Sequence, residues 1–137
     1  MVDRPVLGVF PVLRYKDAAA AIEWLQSAFG FGKHLVIAND DGTIAHAELK
    51  SGAGLVMLAS ARSDIFGTKT PSEAMGVTQF IYVSVDQVDL HHDRAKAAGA
   101  EIIMKLTNMD YGSREYAARD LEGNVWSFGT YNPFEST

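Results

Sequence analysis

The sequence predicts an α+β fold in which one strand–helix–strand–strand–strand unit occurs twice. Two observations predict it. The order of strand-like and helix-like segments in the first half of the 137-residue chain is repeated in the second half. Helix-capping aspartates and helix-ending glycines also recur at one constant spacing, because Asp17 and Gly30 are matched by Asp86 and Gly99. Long internal repeats of this kind indicate duplication of a structural unit, so we expect paired βαβββ modules that form a cupped, mixed sheet.

The first predicted module covers residues 7–60. It begins with a β-rich run over residues 7–15, followed by a helix that starts after Asp17 and is ended by Gly30. Aspartate is a favoured helix N-cap, and glycine is the residue that most often ends a helix. Three short strands follow, because Asp41-Gly42 and Gly52-Ala53-Gly54 are hairpin signals between β-rich runs. These strands are predicted over residues 33–38, 43–50 and 55–60.

The second predicted module covers residues 77–131, and residues 61–76 are the expected connector between the two. A strand over 79–85 precedes a helix that Asp86 is expected to cap and Gly99 to end. Three further strands complete the unit, the last two joined by the turn Leu121-Glu122-Gly123. They are predicted over residues 101–106, 114–119 and 124–131.

Strand periodicity predicts which side chains lie on the open face of each module, away from the helix. Alternate residues of a strand point to opposite faces, so the bulky Trp126 and Phe128 pack under the helix and leave Ser127 on the open face. The repeat, aligned with Ala47 matching Ala117, places Arg114 and Tyr116 on that face as well. The complete predicted set is Phe10, Val12, Arg14, His46, Glu48, Met57, Phe80, Tyr82, Arg114, Tyr116, Ser127 and Tyr131.

This mixed aromatic and polar set favours a ligand pocket, provided that two curved sheets present it inward. Ordinary solvated or dimer-facing sheet surface is the alternative interpretation. Aromatic rings and Met57 would give flat apolar walls for a planar ligand. Arg14 and Arg114 would orient a carboxylate, a phosphate or a quinone oxygen.

Composition narrows the classes of function. The formal net charge is −5 and the twelve Lys and Arg residues are scattered, which argues against nucleic acid or an anionic membrane as partner. The chain has no cysteine, so disulfides, thiolate zinc sites and a cysteine nucleophile are excluded. No signal-peptide pattern is visible at the N-terminus and no run of about 20 apolar residues occurs, so we expect a cytoplasmic protein without a membrane span.

Three stretches carry a resemblance to a known family: LRYKDAAAAIEWLQSAFGF, IAHAELKSGAGLVML and YGSREYAARDLEGNVWSFGTY. They resemble the vicinal oxygen chelate superfamily, in particular its small glyoxalase/bleomycin-resistance branch. One departure is Leu121, where that family often has proline after the aspartate. The resemblance implies the glyoxalase/bleomycin resistance/dihydroxybiphenyl dioxygenase fold, usually in a homodimer.

Metal-using members of that superfamily place one ligand on the first and last strand of each module. Aligned with this chain, the resemblance puts those positions at Phe10, Met57, Phe80 and Ser127. A phenyl ring has no lone pair to donate, a thioether suits Cu(I), and a neutral hydroxyl is a weak ligand. We therefore expect no metal and no cofactor. A relocated metal site at His34, His46 and Glu48 is the alternative, and adjacent His91 and His92 are expected on the surface.

The resemblance then implies a protein that binds a small, aromatic or planar molecule in a metal-free pocket, as in sequestration of a drug or metabolite. Antibiotic resistance is one such role. The alternative is a glyoxalase-type lyase or isomerase that acts on a small carbonyl compound, with His46 and Glu48 as base and partner and Tyr116 as a donor to an oxyanion.

Overall fold

The first half of the chain forms one four-stranded sheet with a helix on one face. The computed structural model describes residues 6–135. The strands lie in the order β1-β4-β3-β2, with β1 parallel to β4 and the other pairs antiparallel. Helix α1 (Ala18–Phe29) connects β1 to β2. The strands are β1 (Val12–Tyr15), β2 (Gly32–Ala38), β3 (Ile44–Ser51) and β4 (Gly54–Ser60).

The second half repeats this arrangement after a short helix, α2 (Pro71–Ala74), in the connecting segment. Its strands lie in the order β5-β8-β7-β6, again with one parallel pair, β5 with β8. The elements are β5 (Ile81–Ser84), α3 (Val88–Ala97), β6 (Glu101–Asn108), β7 (Arg114–Arg119) and β8 (Val125–Gly129). The predicted α+β class and the repeated βαβββ order are confirmed.

The two long helices begin differently. In α1 the Asp17 carboxylate accepts a hydrogen bond from the Ala20 N–H at 3.0 Å, and Gly30 ends the helix with a φ of 76°. In α3 the N-cap is Gln87 without a side-chain bond, so the prediction that Asp86 caps this helix is wrong. The strand register explains the error. Val12 pairs with Met57 and Tyr82 pairs with Ser127, and counting on from those pairs places Gln87, rather than Asp86, at the position of Asp17.

The two halves pack together through their helix-bearing sides. The Phe29 ring lies 5.6 Å from the Trp126 ring and 4.7 Å from the Phe128 ring. The Trp24 Nε1–H donates to the Ala98 carbonyl at 2.9 Å, which joins α1 to the end of α3. Aromatic pairs at such distances stabilise a core beyond the apolar area that they bury. The sheet faces that bear no helix are therefore left free.

A buried carboxylate, Asp120, joins the first strand of the chain to the last hairpin. It accepts the Tyr15 hydroxyl at 2.6 Å and the Trp126 Nε1–H at 3.0 Å. It also accepts the backbone N–H groups of Glu122 and Asn124, both at 3.0 Å, and so shapes the β7–β8 turn. Burial and the neighbouring Asp120 carboxylate raise the pKa of Tyr15 well above its ordinary value, which keeps this phenol a donor.

His91 lies between the halves and not on the surface where it was predicted. Its Nε2 is 2.9 Å from the Phe29 carbonyl and its Nδ1 is 2.6 Å from the Tyr116 hydroxyl. A carbonyl only accepts, so Nε2 carries the proton and Nδ1 accepts from the phenol. Burial lowers the pKa of His91, which favours this neutral form. The neighbouring His92 is half-buried as well, because its ring packs edge-on against Tyr116 at 5.1 Å.

Within residues 6–135 no helix is long and apolar enough to cross a membrane.

Replacing Asp120 with alanine is expected to destabilise the protein by roughly 3 kcal/mol or more, because two buried donors lose their acceptor at about 1–3 kcal/mol each. Urea unfolding followed by tryptophan fluorescence measures the loss. Asp40→Ala, in the exposed β2–β3 turn, is the control and should stay within about 0.5 kcal/mol of wild type. Equal effects of the two substitutions would contradict the role assigned to Asp120.

His91 is expected to make stability depend on pH in the mildly acidic range. Its folded-state pKa lies below that of the unfolded chain, so the unfolded state binds the proton more readily as the pH falls below about 6.5. Its contribution is complete above that pH and is lost as the pH falls toward the folded-state pKa. Urea unfolding of wild type and His91→Gln between pH 5 and 8 should show a stability difference that shrinks on acidification. A difference that does not change with pH would contradict this assignment.

Candidate functional site

The open face of the second sheet holds a concavity of about 810 Å³. Residues from all four strands of that sheet, from the β6–β7 loop and from the segments just before β5 and after β8 line it. No described residue of the first half contributes to it. Its lining consists of Phe80, Tyr82, Met104, Met109, Tyr111, Glu115, Ala117, Val125, Ser127 and Tyr131.

Small side chains form the floor of this concavity. Ser127 lies between Tyr82 on β5 and Ala117 on β7, its partners in the sheet register. The flanking Trp126 and Phe128 are fully buried on the helix side, as the strand alternation predicted. A hydroxymethyl beside a methyl group leaves space above the sheet, so a small residue at position 127 opens the concavity.

Aromatic rings and thioethers form the walls. The Tyr82 and Tyr131 rings lie 6.3 Å apart and are tilted by 52°. The Tyr82 hydroxyl donates to the Tyr131 carbonyl at 2.7 Å, which fixes the ring where it faces the concavity. Phe80 remains 65% exposed, so much of its surface is available to a ligand. Met104 and Met109 are flexible, polarizable side chains that adapt to the shape of a ligand.

One charged group, Glu115, lies among these apolar walls, and its residue is only 6% exposed. The Tyr111 hydroxyl is 3.0 and 2.9 Å from its two carboxylate oxygens. This hydrogen bond raises the pKa of the Tyr111 phenol, since the anion favours the protonated donor. Gly129 faces Glu115 across the sheet, and a Cβ there would collide with the Glu115 side chain, so glycine makes room for it.

The structure corrects the predicted faces of β7. Tyr116 is fully buried on the helix side with its hydroxyl on His91, and Arg114 is bound to Asp89 of α3 at 2.8 and 3.2 Å. Neither residue lines the concavity. Ala47 pairs with Leu58, whereas Tyr116 pairs with Phe128, because the β7–β8 connection is one residue longer than the β3–β4 connection. Matching Ala47 with Ala117 in the repeat therefore displaces β7 by one residue in the alignment. Each side chain of β7 is then predicted on the wrong face of the sheet.

The same shift concealed Glu115, which sequence reasoning missed. The longer turn is visible as Asp120–Asn124 against Ser51–Gly54, so a gap of one residue in the repeat alignment would have placed Glu115 on the open face. Met104, Met109 and Tyr111 carried no comparable signal. They belong to β6 and its loop, where the pairing with β7 is irregular.

The remaining predicted residues lie on the open side of the first sheet or beside it. The His46 Nε2 is 2.8 Å from the Glu48 carboxylate, and the His34 Nε2 is 3.7 Å from it. Phe10 and Val12 are about half exposed, and Met57 is half-buried. Among the described residues, these side chains and the concavity of the second sheet form two separate sets.

Arg14 is buried and its Nη2 is 3.1 Å from the Asp64 carboxylate. Within residues 6–135, its Nε and Nη1 have no hydrogen-bond partner. Asp64 belongs to the connecting segment and also accepts the Phe66 N–H at 3.0 Å. Arg14 was predicted to bind an anionic group of a ligand. In the structure, one of its nitrogens instead pairs with the Asp64 carboxylate of the same chain.

The four positions that the resemblance aligns with metal ligands carry side chains that do not fit a divalent metal. Phe10 and Phe80 offer no lone pair, Met57 offers a soft thioether, and Ser127 offers a neutral hydroxyl. Val12 and Tyr82, the strand partners of Met57 and Ser127, offer no imidazole or carboxylate either. In the part of the chain that the structure describes, no group of three or more His, Asp or Glu side chains is arranged to hold a metal ion, the His34–Glu48–His46 set included.

Comparison with known proteins agrees with this architecture. The model of the Glyoxalase/Bleomycin resistance protein/Dioxygenase superfamily matches residues 9–128. The chain belongs to this superfamily. The resemblance to vicinal oxygen chelate proteins is thereby confirmed.

Individual relatives share the fold and leave the ligand open. An uncharacterized protein of Mycobacterium bovis is 32% identical over 121 residues, which covers 87% of this chain and 80% of the relative. The crystal structure of TioX from Micromonospora sp. ML1 is 32% identical with a TM-score of 0.74, and covers 95% of this chain and all of TioX. The fosfomycin resistance protein FosX from Listeria monocytogenes has a TM-score of 0.66 at 13% identity, over 96% of each chain, in a structure complexed with Mn(II) and sulfate.

Adding donors at two of the four positions is expected to create metal affinity. Wild type should show no rise in melting temperature with millimolar Ni²⁺ or Zn²⁺. Phe80→His combined with Ser127→Glu should show a rise of several degrees, since imidazole and carboxylate are the donors that divalent metals bind in proteins. Elemental analysis after dialysis provides the second readout. Strong stabilisation of wild type, or none in the double variant, would contradict the assignment of these positions.

Proposed function

We propose that this protein binds a small planar or aromatic molecule in the concavity of the second sheet and thereby sequesters it without a metal. The observation that supports this most is the concavity itself, with a floor of small residues and walls of aromatic rings. Its volume of about 810 Å³ lies within the range of about 300–1,000 Å³ that is common for ligand sites. An antibiotic of this shape in the cytoplasm would be such a ligand, and the protein would then confer resistance by sequestration.

A homodimer is part of this proposal. Strands β1 and β5 lie at the edges of their sheets, where unpaired backbone groups favour a partner. The concavity is lined by one half of the chain only, and the other half exposes Phe10 and Val12 beside its own open face. A second copy that placed its first sheet opposite the concavity would cover the ligand and bury these side chains.

The second candidate function, a glyoxalase-type lyase or isomerase, has one observation in its favour. His46 and Glu48 form a hydrogen-bonded pair at 2.8 Å on the open face of the first sheet, an arrangement suited to proton transfer. In a dimer this pair would face the ligand of the other copy. The test is turnover of the methylglyoxal–glutathione hemithioacetal. Turnover by wild type that is lost in His46→Gln would favour this function over sequestration.

Filling the floor of the concavity is expected to abolish binding. With 2-naphthylmethanol as a neutral aromatic probe, calorimetry should show binding to wild type and at least a tenfold loss in Ser127→Trp, since the indole occupies the volume of the ligand. Ser63→Trp, in the exposed connecting segment, is the matched control and should bind as wild type does. Unchanged affinity in Ser127→Trp would show that the concavity is not the binding site.

A further inference from the structure

We propose that the ligand of this concavity is an organic cation, with a planar or aromatic body and a protonated amine that pairs with the Glu115 carboxylate. This inference rests on the proposed binding function and specifies the class of ligand. It reverses the charge expected from the sequence, where Arg14 and Arg114 pointed to an anion.

The Glu115 carboxylate has unused acceptor capacity although its residue is only 6% exposed. Two carboxylate oxygens offer about four acceptor positions, while the single hydroxyl proton of Tyr111 occupies one of them or is shared between two. A buried charge is costly unless it is paired and hydrogen-bonded. A ligand that brings two or three N–H donors would supply the missing partners.

No cation of the described chain neutralises this carboxylate. Glu115 is the only charged residue that lines the concavity, and it forms no ion pair within residues 6–135. The two arginines of the same strand are engaged elsewhere. Arg114 is bound to Asp89 on the helix side, and Arg119 is bound to Glu101 at 3.0 Å. Among the described residues, the concavity therefore presents one carboxylate without a paired cation.

The walls have the chemistry that a cation with an apolar body requires. The faces of aromatic rings attract a positive charge within about 6 Å, most strongly where water is excluded. Tyr111 contacts Glu115 directly, and Phe80, Tyr82 and Tyr131 line the same concavity. A cation at the carboxylate would therefore lie beside the Tyr111 ring, while its planar body extends along Ala117 and Ser127 toward the other rings and the thioethers. An anionic ligand would meet the carboxylate and the negative faces of the same rings.

Three probes with one ring system and three charges test this inference. They are 2-naphthylmethylammonium, 2-naphthylmethanol and 2-naphthoate, and calorimetry at pH 7.5 measures each dissociation constant. We expect the ammonium probe to bind about tenfold or more tightly than the alcohol, because hydrogen bonds to a charged group are worth about 1.5–3 kcal/mol. The carboxylate probe should bind weakest. Equal or tighter binding of the alcohol or the carboxylate would overturn the inference while leaving the proposed function standing.

Glu115→Gln then isolates the charge, because it keeps the shape of the side chain. It should remove the preference for the ammonium probe and leave affinity for the alcohol within about twofold of wild type. Glu23→Gln, on the exposed side of α1, makes the same change in net charge away from the concavity and should keep the preference. Tyr111→Phe keeps the carboxylate and a ring but removes its internal donor, so ammonium binding should be retained or strengthened. If Glu115→Gln does not fold, loss of ammonium binding in Tyr111→Phe overturns the inference.

The competing occupant of Glu115 is a basic side chain of a second copy. Sedimentation analysis of wild type and Glu115→Gln distinguishes the two. Unchanged self-association together with the lost preference supports a cationic ligand, whereas weakened self-association with an unchanged preference overturns it. Absence of binding by all three probes, with the concavity intact, would overturn the proposed function and with it this inference.

Discussion

The arrangement of the two modules depends on a single buried carboxylate. Asp120 accepts the Tyr15 hydroxyl from the first strand of the chain and the Trp126 indole from the last, and its two further bonds hold the turn between β7 and β8. A buried charge is costly unless it is hydrogen-bonded, and Asp120 receives its donors from both halves of the chain. Glu122, in the same turn, adds to the junction, since its carboxylate accepts the backbone N–H groups of Lys16 and Asp17 at 2.7 and 2.9 Å.

This junction determines which surfaces are available for function. With Tyr15 and Trp126 held on one carboxylate, the helix-bearing sides of both sheets are packed around Phe29. Each sheet then has one face in the core and one face free. The free face of the second sheet carries the small and aromatic residues of the concavity, and that of the first carries the His46–Glu48 pair. This packing therefore places the residues that stabilise the core on one face of each sheet and the residues available to a ligand on the other.

The sequence was sufficient to predict the fold, and it predicted the site only in part. Hydrophobic alternation, capping residues and turn glycines occur at nearly constant spacing in both halves, so the repeated βαβββ order could be read directly. Ser127 was placed correctly because Trp126 and Phe128 leave no doubt about the face of β8. Arg114 and Tyr116 were misplaced because a strand has a period of two, and one extra turn residue exchanges its faces. His91 was misjudged because its burial depends on the packing of α3 against Phe29, which no local pattern reports.

The register of β7 with β8 explains how the concavity can recognise a charged ligand without a metal. Two of the positions that the resemblance aligns with metal ligands, Phe80 and Ser127, line the concavity and carry a ring and a small hydroxyl instead. One strand away, Gly129 leaves room for Glu115 to lie against the sheet, where Tyr111 supplies its single hydrogen bond. Among the described residues, this carboxylate belongs to no group that could hold a metal ion, and Tyr111 fills only part of its acceptor capacity. Selectivity in such a site depends on the charge and hydrogen-bond donors of the ligand itself, and the aromatic walls supply the affinity.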